Sequence, residues 1–135
     1  MLCQICEYLD DPKNQGLRLW ENDNLVLFLH LAAINPGHCL LVPKKHAVSI
    51  NSIPNNVQAE LLSLAPQLAQ AVSRAVDADG YNIYIANGPV AGQSIEHAAV
   101  HLIPRHIDDG FSFALRNNEN TIDIEDFKEK LLKRL

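Results

Sequence analysis

Two histidines four residues apart in an otherwise apolar run, His97-Ala98-Ala99-Val100-His101-Leu102-Ile103-Pro104-Arg105, restrict this chain more than any other stretch. The run predicts a strand over residues 95–103. A period of two then sends His97, Ala99, His101 and Ile103 to one face, and Ala98, Val100 and Leu102 to the other. The second face has the composition of core. The first carries two imidazoles about 7 Å apart along the strand with only a methyl group between them, so a phosphate-sized group can touch both.

The rest of the chain reads as a sheet for that strand to join. Leu17-Arg18-Leu19-Trp20-Glu21 alternates, Asn22-Asp23-Asn24 turns, and Leu25 to Leu31 continues, which predicts a hairpin. Asn35-Pro36-Gly37 turns the chain into a third strand, His38 to Val42, that ends at Pro43. A fourth strand is expected over residues 81–86. Between the third and fourth, Val57, Leu61, Leu64, Ala65, Leu68, Val72, Ala75 and Val76 recur at three- and four-residue steps, the mark of an amphipathic helix from Asn55 to Asp77. Pro66 removes one of its hydrogen bonds and predicts a kink, and Asp79-Gly80 predicts its C-cap. Residues 3–9 suggest a short helical turn, and residues 10–16 a loop. Residues 106–120 read as loop with a short strand at Phe111-Ser112-Phe113. Residues 123–134 read as a terminal helix capped by Asp123, acidic early and basic late. This order predicts an α+β fold with an antiparallel sheet.

With 135 residues, 47% of them hydrophobic, the chain can bury one ordinary core. A formal charge of -5 gives no field that draws nucleic acid or an anionic membrane surface, so any phosphate must be held locally by imidazoles, hydroxyls and backbone amides. No apolar run approaches the roughly 20 residues of a membrane span, and the opening residues lack the charged-then-apolar plan of a signal peptide. The expected location is the cytoplasm. There Cys3 and Cys6, a Cys-x-x-Cys, suit a metal or free thiols better than a disulfide, and Cys39 suits the core.

Gly92-Gln93-Ser94 ahead of the two histidines, Ile103-Pro104-Arg105 after them, and Pro36-Gly37-His38-x-Leu-x-Val-Pro-Lys earlier resemble the signatures of the histidine-triad (HIT) family of nucleotide-binding hydrolases and transferases. The resemblance implies a five-stranded antiparallel sheet with one long helix and a C-terminal helix. It sets a HIT domain over residues 1–110 and an extension over 111–135 in the same globular unit, and it implies a homodimer. In the family the middle histidine is the nucleophile that attacks a nucleotide's α-phosphate. Its position is Ala99 here, and alanine has no lone pair to offer.

Carried residue by residue, the resemblance places His38, Ser94 and His101 beside the reacting group, and adds Asn87, Gly92 and Gln93 as phosphate contacts. It gives His30 and Leu31 to the nucleoside. His30 stands where the family has a carboxylate that accepts from the ribose hydroxyls, and Glu96 stands where an aromatic residue is usual. Some bacterial members hold a structural zinc on the positions of Cys3, Cys6, His46 and His97; the Cys-x-x-Cys spacing by itself supplies half of such a tetrahedral site. The implied function is a nucleotidyl hydrolase or transferase acting through a covalent nucleotidyl-histidine on a nucleoside phosphoramidate, a dinucleoside polyphosphate or a similar phosphate ester, inactivated here by Ala99. The alternative is a naturally non-catalytic nucleotide- or zinc-binding module. The otherwise intact signatures fit the first, and His30 and Glu96 fit divergence.

Overall fold

A computed structural model describes residues 3–30, 32–112 and 119–135. Five strands, β1 (Arg18–Glu21), β2 (Leu25–Leu29), β3 (Cys39–Pro43), β4 (Gly80–Tyr84) and β5 (Val100–Arg105), form one sheet in the order β1-β2-β3-β5-β4. Every pairing is antiparallel. Helices α1 (Gln4–Asp10), α2 (Asn55–Ala75) and α3 (Ile124–Leu132) complete the fold. One register row decides where chemistry can happen: Phe28 lies opposite Leu40, Leu40 opposite His101, and His101 opposite Tyr84.

Period-two alternation divides β2 and β3 between two cores. Leu25, Leu27, Cys39 and Leu41 join Ala98, Val100 and Leu102 beneath Leu61, Ala65 and Ala69 of α2, a stripe of one residue per helical turn. Val26, Phe28, Leu40 and Val42 point the other way and are covered by Ile5 and Leu9 of α1. Each fully buried Leu, Ile or Phe here contributes about 1.5–3 kcal/mol of transfer free energy. The sequence led us to expect core on one face only; α1, seven residues long, supplies the cover for the second. Ile103, assigned to the open face, is fully buried.

The fifth strand begins later than its composition suggests. Residues 95–97 form bends, residues 98 and 99 take no regular structure, and the ladder starts at Val100 and runs through Pro104 to Arg105. The entry is shaped instead by single bonds, His97 N–H to the Ile95 carbonyl at 2.8 Å and Ala98 N–H to the Ala47 carbonyl at 2.6 Å. Helix α2 continues through the exposed Pro66 as one element. It does not end at Asp79-Gly80. Asp77 takes the left-handed conformation at φ 51°, the Ala78 amide donates to the Ser73 carbonyl and the Asp77 amide to that of Arg74, so a non-glycine closes a Schellman-type cap and Gly80 opens β4.

Residues 12–16, expected as loop, coil together with Leu17 into a 3-10 turn (Pro12–Leu17) in which the Lys13 amide donates to the Asp11 carboxylate at 2.9 Å. Asp123 caps α3 by accepting from the Asp126 amide at 2.9 Å, and every residue of α3 is exposed. Phe111 and Ser112 form no strand; Phe113 lies outside the described residues.

Candidate functional site

The row through Leu40, His101 and Tyr84 opens at its edge into a cavity of about 260 Å³. His97, Ala99 and His101 all line it, so the face assignment made from period two holds for these three even though the ladder starts at residue 100. Ala99 presents only a methyl group there.

His38 sits one residue before β3 and is 1% exposed. Its Nδ1 accepts from the Ile34 amide at 3.0 Å, which leaves the ring proton on Nε2. That Nε2–H donates to Nδ1 of His101 at 2.9 Å. His101 therefore carries its own proton on Nε2, and its ring lines the cavity. Burial is the main cause that lowers both rings to about 4, with His101 and His30 adding to it for His38 and His30 for His101. His30 packs edge-on against His38 at 4.7 Å between ring centroids and 5.9 Å from His101; burial lowers it too. Three neutral imidazoles thus share one wall.

The opposite wall is the loop before β5. Gly92, Gln93 and Ser94 line the cavity. Gly92 has φ +96°, and a Cβ there would come within 2.7 Å of Tyr84 Oη, so glycine is required twice over. The Gln93 amide is committed to the loop itself: its oxygen accepts from the Gly88 amide at 2.8 Å, and its nitrogen donates to the carbonyls of Val48 at 2.6 Å and Ile95 at 3.0 Å. Asn87 is not brought to the cavity; its side-chain oxygen accepts from the Ile50 amide at 2.9 Å. Leu31 lies outside the described residues. Glu96 is exposed.

On the far side of His97 is a second cluster. Its Nε2–H donates to the Pro43 carbonyl at 2.9 Å, so the Nδ1 lone pair is free, and it faces Cys3 Sγ at 3.3 Å and Cys6 Sγ at 3.6 Å. Cys6 Sγ also lies 3.6 Å from Nδ1 of His46. A tetrahedral zinc with bonds of about 2.0 Å to nitrogen and 2.3 Å to sulfur sets those atoms roughly 3.5 Å apart, so the donor set fits such an ion. Burial, then the adjacent Cys3, pushes the Cys6 thiol up to about 11, a burden that a central cation removes by taking thiolates as ligands.

His30, His38 and His101 also bring ligand nitrogens within 4.8 Å of one another. They suit a metal less well, because the Ile34 amide keeps the His38 proton on the nitrogen that would have to bind. Hydrogen bonding thus separates two clusters that composition alone makes look equivalent.

Three participants escaped the sequence. Tyr84 stands edge-on to His101, 5.6 Å between centroids, and its hydroxyl donates to the Ala91 carbonyl at 3.0 Å. An antiparallel register counted from His101 would have found it. The Ile34 amide and Pro43 carbonyl, which fix two tautomers, are backbone groups and leave no mark in composition.

Comparison with known proteins agrees with this geometry. A family model described as "HIT domain" matches residues 12–108. An adenylylsulfatase of Arabidopsis thaliana is 32% identical over 76% of this chain and 52% of its own length. An adenosine 5'-monophosphoramidase of Saccharomyces cerevisiae is 30% identical over 76% of this chain and 62% of its own. The chain spans less than two thirds of the length of either enzyme. Among solved structures, a Streptococcus mutans protein superposes with TM-score 0.85 at 30% identity, over 98% of this chain and 84% of that one. A zinc-bound histidine-triad protein of Mycobacterium smegmatis superposes with TM-score 0.72 at 29% identity, over 86% of this chain and 84% of that one. With a family model spanning most of its length and two signatures converging on one cavity, the chain belongs to the HIT family.

Proposed function

We propose that the cavity beside Ala99 binds a nucleotide-like phosphate compound, and that the form of this chain with a histidine at position 99 transfers or hydrolyses its nucleotidyl group. In that form the imidazole at 99 attacks phosphorus and a P–N bond forms as the bond to the leaving group breaks. Water then splits the P–N bond and returns the free imidazole. His101 donates its Nε2–H to a phosphoryl oxygen, His38 holds His101 in the donating tautomer, and Ser94 and the Gly92 loop amides complete the oxyanion contacts. The single observation behind this is the 2.9 Å His38–His101 bond, which aims a donor at the space next to a missing nucleophile. In the present chain the same groups bind without cleaving.

Assay of the Ala99→His variant on adenosine 5'-phosphoramidate and a diadenosine polyphosphate tests it. Turnover of either by the variant, with the Ala99 chain silent, is the expected result. No turnover of both, beside a working family member, overturns it.

A second reading, a nucleotide-binding module organised by zinc, draws on the cluster at His97. Cys3, Cys6, His46 and His97 would hold one structural ion, tying α1 to the sheet; all four positions are filled by protein, so the ion would have no open site for substrate. The thiol ligands suit a reducing cytoplasm. A homodimer would form along α2 and the edge strand β4, where Leu62, Tyr81 and Ile83 stand exposed. Calorimetry with AMP and GMP before and after chelation tests this reading, which fails if neither nucleotide binds at millimolar concentration.

A further inference from the structure

Arg105 ends the stretch that carries the two histidines, yet neither it nor Asp109 nor Asn35 lines the cavity. Its guanidinium turns instead to Asp109, with Nε donating to Oδ2 at 2.6 Å and Nη2 to Oδ1 at 2.9 Å, while Nη1 donates to Asn82 Oδ1 at 2.8 Å. We infer that Asp109 is a positioning residue for the phosphate site: through Asn35 it holds the turn that decides which nitrogen of His38, and so of His101, carries the proton. The inference rests on the phosphate-site reading above and adds what keeps its donor aimed.

The Asp109 side chain is 9% exposed. Besides Arg105, its carboxylate accepts from the Asn35 side chain at 2.8 Å, the His106 amide at 3.2 Å and the Phe111 amide at 3.1 Å. Arg105 first of all, with the two amides and Asn35 adding to it, holds the carboxyl well below the usual carboxylate range, so Asp109 is an anion throughout the working pH range. A two-pronged charged pair fixes geometry as well as charge. Asp109 is therefore a rigid anchor at the end of β5.

Asn35 carries that anchor to the site. It is buried, and its Nδ2 gives one hydrogen to Asp109 and the other to the Pro104 carbonyl at 3.0 Å. Its own carbonyl accepts from the His38 amide at 3.0 Å, and the amide of its neighbour Ile34 donates to His38 Nδ1 at 3.0 Å. The pinned residue thus stands between the two backbone groups that grip His38. A neutral imidazole has one proton and two nitrogens, and the partner of one nitrogen settles where the proton sits. Freed from Asp109, the turn can carry the Ile34 amide off the ring. His38 then takes either tautomer, His101 follows, and the donor that faces phosphate is lost for part of the time.

Nitrogen-15 imidazole spectra of the ligand-free chain near neutral pH read the tautomers directly, and calorimetry with AMP reads the site. Asn35→Ala cuts the link and leaves the Arg105–Asp109 pair; Asp109→Asn keeps size and leaves Asn35 in place. In either variant the His38 and His101 nitrogens should move from distinct protonated and unprotonated positions toward averaged ones, and AMP affinity should fall about tenfold. Asn82→Ala takes a partner from the same guanidinium without touching Asp109 or Asn35, so it should keep the native spectra even where its melting temperature falls. Native spectra in a folded Asn35→Ala or Asp109→Asn chain overturn the inference whatever the loss of stability. Spectra shifted as far in Asn82→Ala overturn it too, as does native AMP affinity beside shifted spectra. If AMP fails to bind the native chain while Asn35→Ala shifts the spectra, the hydrogen-bond relay stands and the phosphate-site reading falls.

Discussion

His38 donates its one ring N–H to Nδ1 of His101 across 2.9 Å, and because the Ile34 amide occupies the other nitrogen of His38, neither ring can reverse the direction of that bond without losing a partner. The relationship orients His101 for an anion. It also fixes how the fold responds to acid.

Both rings are lowered to about 4 from an ordinary 6.5. Above pH 6.5 they are neutral in folded and unfolded chains alike and cost nothing. Between 6.5 and about 4 the unfolded chain takes up protons that the folded one refuses, so stability falls as pH falls; below about 4 these two rings add no further loss. Melting curves by circular dichroism should be flat from pH 8 to 7 and decline steadily to pH 4, and the decline should shrink in His38→Gln. A melting temperature independent of pH across that window would contradict the neutral pair.

The tetrad at His97 makes a separate claim on stability. Cys3 and Cys6 bracket the start of α1, whose Ile5 and Leu9 close the second core. If an ion holds them, elemental analysis should find about one zinc per chain in protein purified without chelator. Chelation, or Cys6→Ser, should then lower the melting temperature and speed amide exchange across residues 4–10, leaving α2 protected. Exchange in α1 unaffected by chelation would mean that packing alone holds the helix.

Gly92→Ala asks whether the phosphate loop is as constrained as it looks. The substitution forces an L side chain to φ +96° and places a methyl carbon 2.7 Å from Tyr84 Oη, which is bonded to the Ala91 carbonyl. A loss of about 1–3 kcal/mol is expected from the backbone alone. The displaced Tyr84 should disturb His101 as well, so AMP affinity measured by calorimetry should drop at least tenfold. Native affinity in a folded Gly92→Ala protein would remove this loop from the binding site.

How far the sequence could be read depended on whether a feature was local. Strand and helix order followed from periodicity, and the convergence of His38 with His101 followed from two signatures. What escaped were contacts that depend on a partner distant in sequence. The ladder starts at Val100 because the preceding residues are held by Gln93 and Ala47 rather than by a neighbouring strand. The α2 cap is Asp77, whose left-handed backbone composition does not favour as it favours glycine. The short helical turn expected over residues 3–9 is α1, and its fit to Phe28 and Leu40, which periodicity does not reveal, creates a second core and one wall of the cavity. The resemblance gives Asn87 to the phosphate, whereas its side-chain oxygen accepts from the Ile50 amide.

The edge of the sheet carries the last prediction. β4 pairs only with β5, so its outer backbone groups are unpaired within the sheet, and natural sheets protect such edges with charge or cover. Here Tyr81 is 41% and Ile83 39% exposed, and Ile83, opposite Leu102 in register, lies on the α2 side. On α2, Leu62 is 44% exposed. Apolar side chains along an open edge suit a second copy, which would cover them and extend the sheet at once. Sedimentation should therefore find a dimer near 30 kDa, about twice the chain's 15.0 kDa. Ile83→Lys combined with Leu62→Glu should convert it to a monomer while circular dichroism stays unchanged, since neither side chain is part of either core. A native chain that sediments as a monomer at 100 μM would leave this edge without the partner we assign to it.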